Sequence, residues 1–297
     1  MTPLLAVPNV SAGRDGALID ALGASFAGPG ASELDRHCDA DHDRTVFTLA
    51  GEPGALRTAL LAGAEGAVRS IDMSTYAGLH PAVGALDVCP LVWTAERDHE
   101  EAVATAREVA AGIAELGVPV FLYGALASSP ERAERAYFRN GGLRELSLRM
   151  DSGELVPDHG PTSPHPRAGA TLVTARPPLA AFNIELDTDD VEVARSVAAG
   201  LRESGGGLAG VRAIGLGLSA GRAQVSTNVH DPLGTPLALV VERVRALAAP
   251  LDARPLEAEL VGLLPEAALA GYPDDVPIRG FDPARHTIER RLAASTD

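Results

Sequence analysis

His80 is the side chain whose setting speaks most directly of chemistry. It stands in Gly78-Leu79-His80-Pro81, followed by Ala82-Val83-Gly84-Ala85 and then an apolar run over residues 86–92. Glycine and proline hold such a stretch out of helix. The imidazole therefore sits on a loop just ahead of a buried strand, well placed to face a cleft. An imidazole with its ordinary pKa of about 6.5 takes and gives a proton at neutral pH; a solvent-exposed loop histidine fits the same spacing. A second concentration is Arg36-His37-Cys38-Asp39-Ala40-Asp41-His42-Asp43-Arg44. Its histidines, aspartates and cysteine are zinc or manganese ligand types. No pair has helical i,i+4 spacing and no HExxH occurs, so an acidic loop running into a strand at 45–49 is the plainer reading. Arg44 opens that strand and can clamp a substrate carboxylate. The third constellation is Asp158-His159-Gly160-Pro161-Thr162-Ser163-Pro164-His165-Pro166-Arg167-Ala168-Gly169-Ala170. Prolines keep it extended and glycines permit close approach. It offers a guanidinium and imidazoles to a ligand, and it reads equally as an ordered inter-domain linker. Gly215-x-Gly217-x-x-x-Gly221 has the wrong spacing for a dinucleotide loop and reads as a hairpin. Cys89, inside an apolar strand, reads as a core residue; Cys38 is ambiguous. GxSxG, CxxC and Walker motifs are absent.

The elements that must position these groups follow from composition and pattern. The chain has 297 residues, 46% hydrophobic, 22% charged and 4% aromatic, which predicts a globular protein with an aliphatic core, in one large domain or two subdomains. No apolar run reaches the ~20 residues of a membrane helix. The start, MTPLLAVPNV, lacks a basic segment and a long apolar one, so no signal peptide is expected. Two cysteines make no disulfide framework, and a cytoplasmic location is expected. Net charge is −15, which argues against nucleic acid. All 25 basic residues are arginine. That excludes a Schiff-base or Walker lysine and leaves planar guanidinium forks as the strong anion binders.

The C-terminal half reads most clearly: a strand at 179–186, a helix at 189–202 opened by Asp/Thr cap signals, strands at 211–218 and 222–229 joined by a tight turn, a helix at 233–249 and a strand at 256–263. That order, β-α-β-β-α-β, is the ferredoxin-like split unit. The N-terminal half is similar but longer: strands at 4–7, 45–49, 86–92 and 118–123, helices at 15–26, 53–70, 98–116 and 129–139. Residues 151–168 show no periodicity, and a short helix at 283–293 closes the chain. The fold class is α/β (α+β) in two subdomains, 1–176 and 177–297.

Taken in order, these residues resemble the formiminotransferase family. Val7-Pro8-Asn9 with Ser11 and Gly13 match its opening. Asp43-Arg44-Thr45-Val46 matches NRTV with Asp for Asn. Ile71-Asp72-Met73, Gly78-x-His80-Pro81 and Gly84 through Pro90 follow, then Gly160-Pro161 and His165-Pro166-x-Ala168-Gly169-Ala170. Ala175-Arg176-Pro177, Ala181-Phe182-Asn183, Ala223 through Asn228, Leu260 through Pro265 and Gly280-Phe281-Asp282-Pro283 complete it. The resemblance implies two α/β subdomains with a substrate channel between them, in a homodimer. It implies transfer of a formimino group from N-formimino-L-glutamate to N5 of tetrahydrofolate, a substrate, with no metal. It implies His80 as general acid/base and Gly160 through Gly169 as folate contacts, with Arg44, Arg167 and Arg176 supplying positive field. It implies no cyclodeaminase part. Two positions depart: the family's GEHPR is here Gly78-Leu79-His80-Pro81-Ala82, so a carboxylate and a guanidinium beside the histidine are replaced. Those departures keep open a folate-binding homologue without the activity and a related one-carbon or amidine transferase with another donor. A metal hydrolase on His37, Asp39 and His42 is the remaining alternative.

Overall fold

The computed structural model describes residues 3–79 and 81–295. The chain divides into two compact units, residues 1–176 and 177–297. Unit 1 begins with β1 (Leu4–Ala6) and β2 (Asn9–Val10), one strand interrupted at Val7-Pro8, since proline gives no ladder donor. Then come α1 (Gly16–Phe26), β3 (Ala31–Asp39), β4 (Arg44–Gly51), α2 (Pro53–Ser70), β5 (Leu86–Val92), α3 (His99–Glu115), β6 (Val120–Leu122), α4 (Ala136–Arg139), α5 (Gly142–Asp151) and β7 (Thr171–Arg176). Asp15 caps α1 by accepting from Leu18 N–H at 3.1 Å, and α2 opens on Pro53, whose fixed φ suits a first helical position.

β3 pairs antiparallel with β4, β4 with β1 and β2, and both of these with β5. The part from β1 to β5 is thus β-α-β-β-α-β, extended by β7, parallel to β5, and by β6, parallel to β7. α1, α2 and α3 bury their apolar faces with Val10, Phe47, Leu49, Leu86 and Leu91 on one side of the sheet. On the other side Val88, Phe121, Tyr123 and Leu172 meet Phe138, Leu146 and Met150 of α4 and α5. β6 alternates between the two clusters, Val120 and Leu122 to one and Phe121 and Tyr123 to the other.

Unit 2 holds β8 (Ala180–Leu186), α6 (Val191–Leu201), β9 (Val211–Leu218), β10 (Arg222–Val229), α7 (Leu237–Ala248) and β11 (Pro255–Val261), then α8 (Pro283–His286) and α9 (Ile288–Ala294). Its antiparallel sheet runs β11-β8-β10-β9. The β-α-β-β-α-β order is as the pattern predicts. Phe182, Ile184, Val225 and Val229 face α6 and α7. No helix among the described residues is long and apolar enough to cross a membrane.

Four local expectations are corrected. Of the stretch 36–44 expected as loop, 36–39 are strand and 40–43 a turn: β3 pairs on one side only, and such an edge tolerates charges. The helix expected at 129–139 is a 3-10 turn, Pro130–Ala133, and the single turn α4. A further helix, α5, follows Gly141, whose φ of +77° is the left-handed break between them. The closing helix is broken at Thr287, where Leu264 N–H bonds His286 O and Ile288 N–H bonds Leu264 O.

Candidate active site

Three segments singled out by sequence are bonded into one assembly in unit 1. The first is the turn between β3 and β4. Asp43 adopts φ +47°, a left-handed conformation that Asp and Asn tolerate. Its carboxylate accepts from Gly13 N–H at 2.8 Å and faces Arg14 at 3.1 Å. Asp39 accepts from the backbone N–H of His42 at 2.8 Å, and its other oxygen lies 3.1 Å from His42 Nδ1. Burial opposes ionisation of Asp39, but the ring and backbone bonds from His42 outweigh it and hold the carboxyl at about 2. Asp39 thus meets His42 through both of its oxygens. Cys38 is exposed on β3, whereas Cys89 is buried, which pushes its thiol up to about 12.

The second segment is 71–85. Asp72 caps a 3-10 turn, Met73–Thr75, by accepting from Ser74 N–H at 3.0 Å and Ser74 Oγ at 2.7 Å. Tyr76 Oη donates to His42 O at 2.9 Å and Leu79 N–H to Asp41 O at 3.0 Å, tying this loop to the turn. His80 lies outside the described residues. Beyond it, Ser11 Oγ donates to Gly84 O at 2.7 Å.

The third segment, 160–169, is stitched to the second on both sides of position 80. Ahead of it, Met73 N–H donates to Arg167 O at 2.7 Å and Arg167 Nε to Asp72 Oδ2 at 3.2 Å. After it, Ala85 N–H donates to Ala168 O and Ala170 N–H to Val83 O, both at 2.9 Å. Gly84 and Gly169 meet at a bridge that leaves no room for a side chain: a Cβ on Gly84 would lie 1.8 Å from Ala170 O. His165 closes the turn on itself, its Nδ1 accepting from Ala168 N–H at 2.9 Å and Arg167 N–H at 3.2 Å. Gly160, Pro161, Thr162 and Ser163 are exposed, Pro164 and His165 half-buried, Pro166 and Arg167 exposed, Ala168 and Gly169 buried.

Arg44 and Arg176 belong to a separate basic cluster, and Arg167 stays with Asp72. Arg44 donates to Asn9 Oδ1. Arg139 donates to Asp87, whose other oxygen accepts from Val83 N–H at 2.9 Å. Burial draws Arg44 down to about 9, helped by Arg139 and opposed by Asp87. Burial likewise draws Arg176 down to about 10, against Tyr123 and with Arg135. Arg135 is lowered by burial first, with Tyr123 opposing and Arg139 adding. Tyr76 is raised, by burial and then by Asp87. Arg44 and Arg176 remain charged at neutral pH. Asp87, Arg135, Arg139, Tyr76 and Tyr123 were not among the residues expected from sequence. A lone carboxylate inside the apolar run 86–92 was the available signal for Asp87, and the i,i+4 spacing of Arg135 and Arg139 was the signal for that pair.

In unit 2 the polar residues of two further motif segments share the sheet face away from α6 and α7. Asn183 pairs in register with Ser226, and Glu185 with Gln224. Arg279 donates to Glu185 at 2.6 Å and to Glu257 at 2.8 Å.

Comparison with known proteins gives this arrangement a family. Residues 4–176 match the model of the formiminotransferase domain, N-terminal subdomain, and residues 181–272 that of the formiminotransferase domain. The chain is 36% identical over 290 residues to glutamate formimidoyltransferase of Streptococcus pyogenes serotype M1, covering 96% of this chain and 97% of that one. It is 33% identical over 292 residues to glutamate formimidoyltransferase of Thermoplasma acidophilum, covering 96% of each. With the formimidoyltransferase-cyclodeaminase of Gallus gallus it shares 39% over 272 residues, 89% of this chain and 50% of that protein. On both subdomain models and these relatives, the chain is a transferase and belongs to the formiminotransferase family.

Proposed function

We propose that the chain transfers the formimino group of N-formimino-L-glutamate to N5 of tetrahydrofolate, with His80 as general acid and base. The observation that carries this reading is the double attachment of segment 160–169 to the loop of position 80, through Asp72 and Met73 before it and Val83 and Ala85 after it. A folate contact on 160–169 is then tied to the segments that flank position 80 by hydrogen bonds, most of them between backbone atoms. The relatives named glutamate formimidoyltransferase supply the reaction class.

The chemistry needs little else. Pterin N5 attacks the amidine carbon and forms the new C–N bond. The N5 proton passes to the imidazole, a tetrahedral intermediate forms, and the imidazolium returns the proton to the departing glutamate nitrogen as the old C–N bond breaks. Products are L-glutamate and 5-formimino-tetrahydrofolate. Acid–base work of this kind supplies about 10²–10⁴-fold, and holding both substrates in register supplies up to ~7–11 kcal/mol of the barrier. Arg44 and Arg176 hold anionic groups of the substrates. The enzyme acts as a homodimer in the cytoplasm, and light scattering on the purified protein reads the dimer directly.

Incubation with tetrahydrofolate and N-formimino-L-glutamate, followed by detection of the folate adduct, tests the reading. His80→Ala should lose at least about a hundredfold in kcat; unchanged turnover would remove His80 from the mechanism. One feature favours a second reading: Leu79 is 47% exposed where the family pattern carries a carboxylate. Without that neighbour, a folate-binding homologue lacking turnover would bind 5-formyl-tetrahydrofolate and form no adduct, and a panel of formyl and formimino donors would reveal a different donor.

A further inference from the structure

Segment 160–169 is held at its two ends and open between them. Among the described residues, positions 160–164 neither donate nor accept a hydrogen bond, and Gly160 through Ser163 are exposed. The later end is fastened by the His165 turn and the Gly84–Gly169 bridge. The earlier end is fastened to β6, the last strand of its sheet. Val120 O accepts from Asp158 N–H at 2.9 Å and from His159 N–H at 3.2 Å, and Val120 N–H donates to His159 O at 2.9 Å. The Asp158 carboxylate accepts from Leu122 N–H at 2.8 Å. Gly160, at φ +88°, stands so close that a Cβ there would lie 2.9 Å from Val118 O. One side chain from outside the segment reaches this end. Arg132, on the 3-10 turn Pro130–Ala133, donates to Asp158 Oδ2 and, at 3.0 Å, to Val156 O. Its guanidinium carbon lies 5.7 Å from the centre of the Phe121 ring and 5.5 Å from that of Phe138. The side chains of Arg132 and Asp158 are only 13% and 17% accessible. Two rings and two acceptors fix the planar fork. Arg132 Nε has no partner among the described residues, and a buried donor without an acceptor is destabilising, so stability alone does not account for the clamp.

We propose that Arg132 is a positioning residue: through Asp158 it sets where residues 160–164 stand, and so how tightly they hold their ligand. That the ligand is tetrahydrofolate rests on the proposed reaction. A binding segment with no hydrogen bonds of its own takes its placement from its anchors, helped here by the fixed φ of Pro161 and Pro164. An anchor that is rigid beforehand lowers the entropy lost when the ligand orders the segment. Arg132 acts through Asp158 and does not touch the ligand, since its guanidinium lies between two rings and faces Asp158 and Val156.

The test uses Arg132→Gln, Arg132→Lys, Asp158→Asn and the double variant Arg132→Gln/Asp158→Asn in the full chain. Donor and tetrahydrofolate KM are measured separately, and binding of 5-formyl-tetrahydrofolate is measured by calorimetry independently of turnover. Arg132→Gln should raise tetrahydrofolate KM about tenfold, weaken 5-formyl-tetrahydrofolate to match, and leave donor KM within about twofold. Arg132→Lys keeps the charge but not the planar fork, so it should recover part of the loss; it also stands in should the glutamine variant not fold. Asp158→Asn should raise tetrahydrofolate KM as well, although removing a negative charge would by itself favour an anionic ligand. Because the two residues act as one device, the double variant should lie within about twofold of the worse single variant. Tetrahydrofolate KM unchanged in Arg132→Gln or in Asp158→Asn, or both KM values rising together, overturns the positioning role and leaves the proposed reaction standing. Single effects that multiply in the double variant overturn it too, since they mean that Arg132 acts on the ligand independently of Asp158. If the wild type forms no adduct, the proposed reaction falls. Calorimetry then decides alone: 5-formyl-tetrahydrofolate weakened in Arg132→Gln supports the positioning role, and equal binding, or none in the wild type, overturns it.

Discussion

Asp87 on β5 and Arg139 on α4 are 52 residues apart and form an ion pair in which Asp87 is 2% and Arg139 9% exposed. One carboxylate thereby joins three structures: the strand that carries it, the short helix on the far face of the sheet, and the backbone N–H of Val83. Removing one partner of a buried pair strands the other charge, which costs about 3–5 kcal/mol. Asp87→Ala should lower the unfolding free energy by that amount in urea denaturation. Asp87→Leu with Arg139→Met should recover much of it, because an apolar pair needs no compensation. A single variant within about 1 kcal/mol of wild type would show that the pair contributes no net stability.

Asp87 is a lone carboxylate inside an apolar run, and nothing in the sequence names its partner 52 residues away. Regular elements were read from periodicity: α2, β5, β9 and β10 lie where apolar spacing and cap residues put them. Where burial is one-sided and charges line the outside, the pattern looks like loop, as it does at the end of β3. Segments 40–44, 72–85 and 160–169 carry recognisable residue types, but most of the bonds that unite them run between backbone atoms and say nothing in sequence. Arg135 and Arg139 have a spacing that any helix surface carries. Only the packing of α4 against Phe121 and Leu172 turns that face inward.

Gly169 and Gly153 separate backbone strain from close approach. Both have positive φ, +69° and +76°. A Cβ at 153 would meet nothing within 4 Å, whereas one at 169 would lie 2.2 Å from Val83 O. Gly153→Ala should cost only the left-handed penalty of about 1–2 kcal/mol. Gly169→Ala should cost more and should also raise tetrahydrofolate KM, because the 160–169 segment must back away from Val83. Equal melting temperatures for the two variants would argue that the Gly84–Gly169 contact can relax freely.

Arg167 and Asp72 test position without stability. The pair is exposed, with side chains 53% and 35% accessible. Asp72 is held below its ordinary pKa by the Ser74 bonds first and by Arg167 after them. Exposed pairs of this kind add little to folding, so Arg167→Ala should leave the melting temperature where it is. It should raise tetrahydrofolate KM and leave donor KM alone. Steady-state kinetics with each substrate varied in turn would show it, and an unchanged folate KM would remove Arg167 from the folate contacts.

The Asp39–His42 turn makes a prediction about acid. In the folded chain the Asp39 carboxyl lies at about 2 against an ordinary 3.8. Its folded value is depressed, so the unfolded chain binds the proton first and the contribution to stability is present above pH of about 4. It fades as pH falls from there and is gone below about pH 2, when both states are protonated. Asp187, Glu257 and Glu266 are also held low, by Arg254, Arg279 and Arg290 respectively, so the wild type loses stability to acid at several places at once. The difference between wild type and Asp39→Asn isolates this one. The variant should melt lower than wild type at pH 6, and the gap should close as pH approaches 2. His42→Ala, which removes the ring bond but keeps the backbone N–H, should show a smaller gap of the same sign. Melting curves of wild type and Asp39→Asn that stay parallel from pH 6 to pH 2 would mean that His42 does not hold the carboxylate, and that the turn before Arg44 is fixed by Asp43 and Gly13 alone.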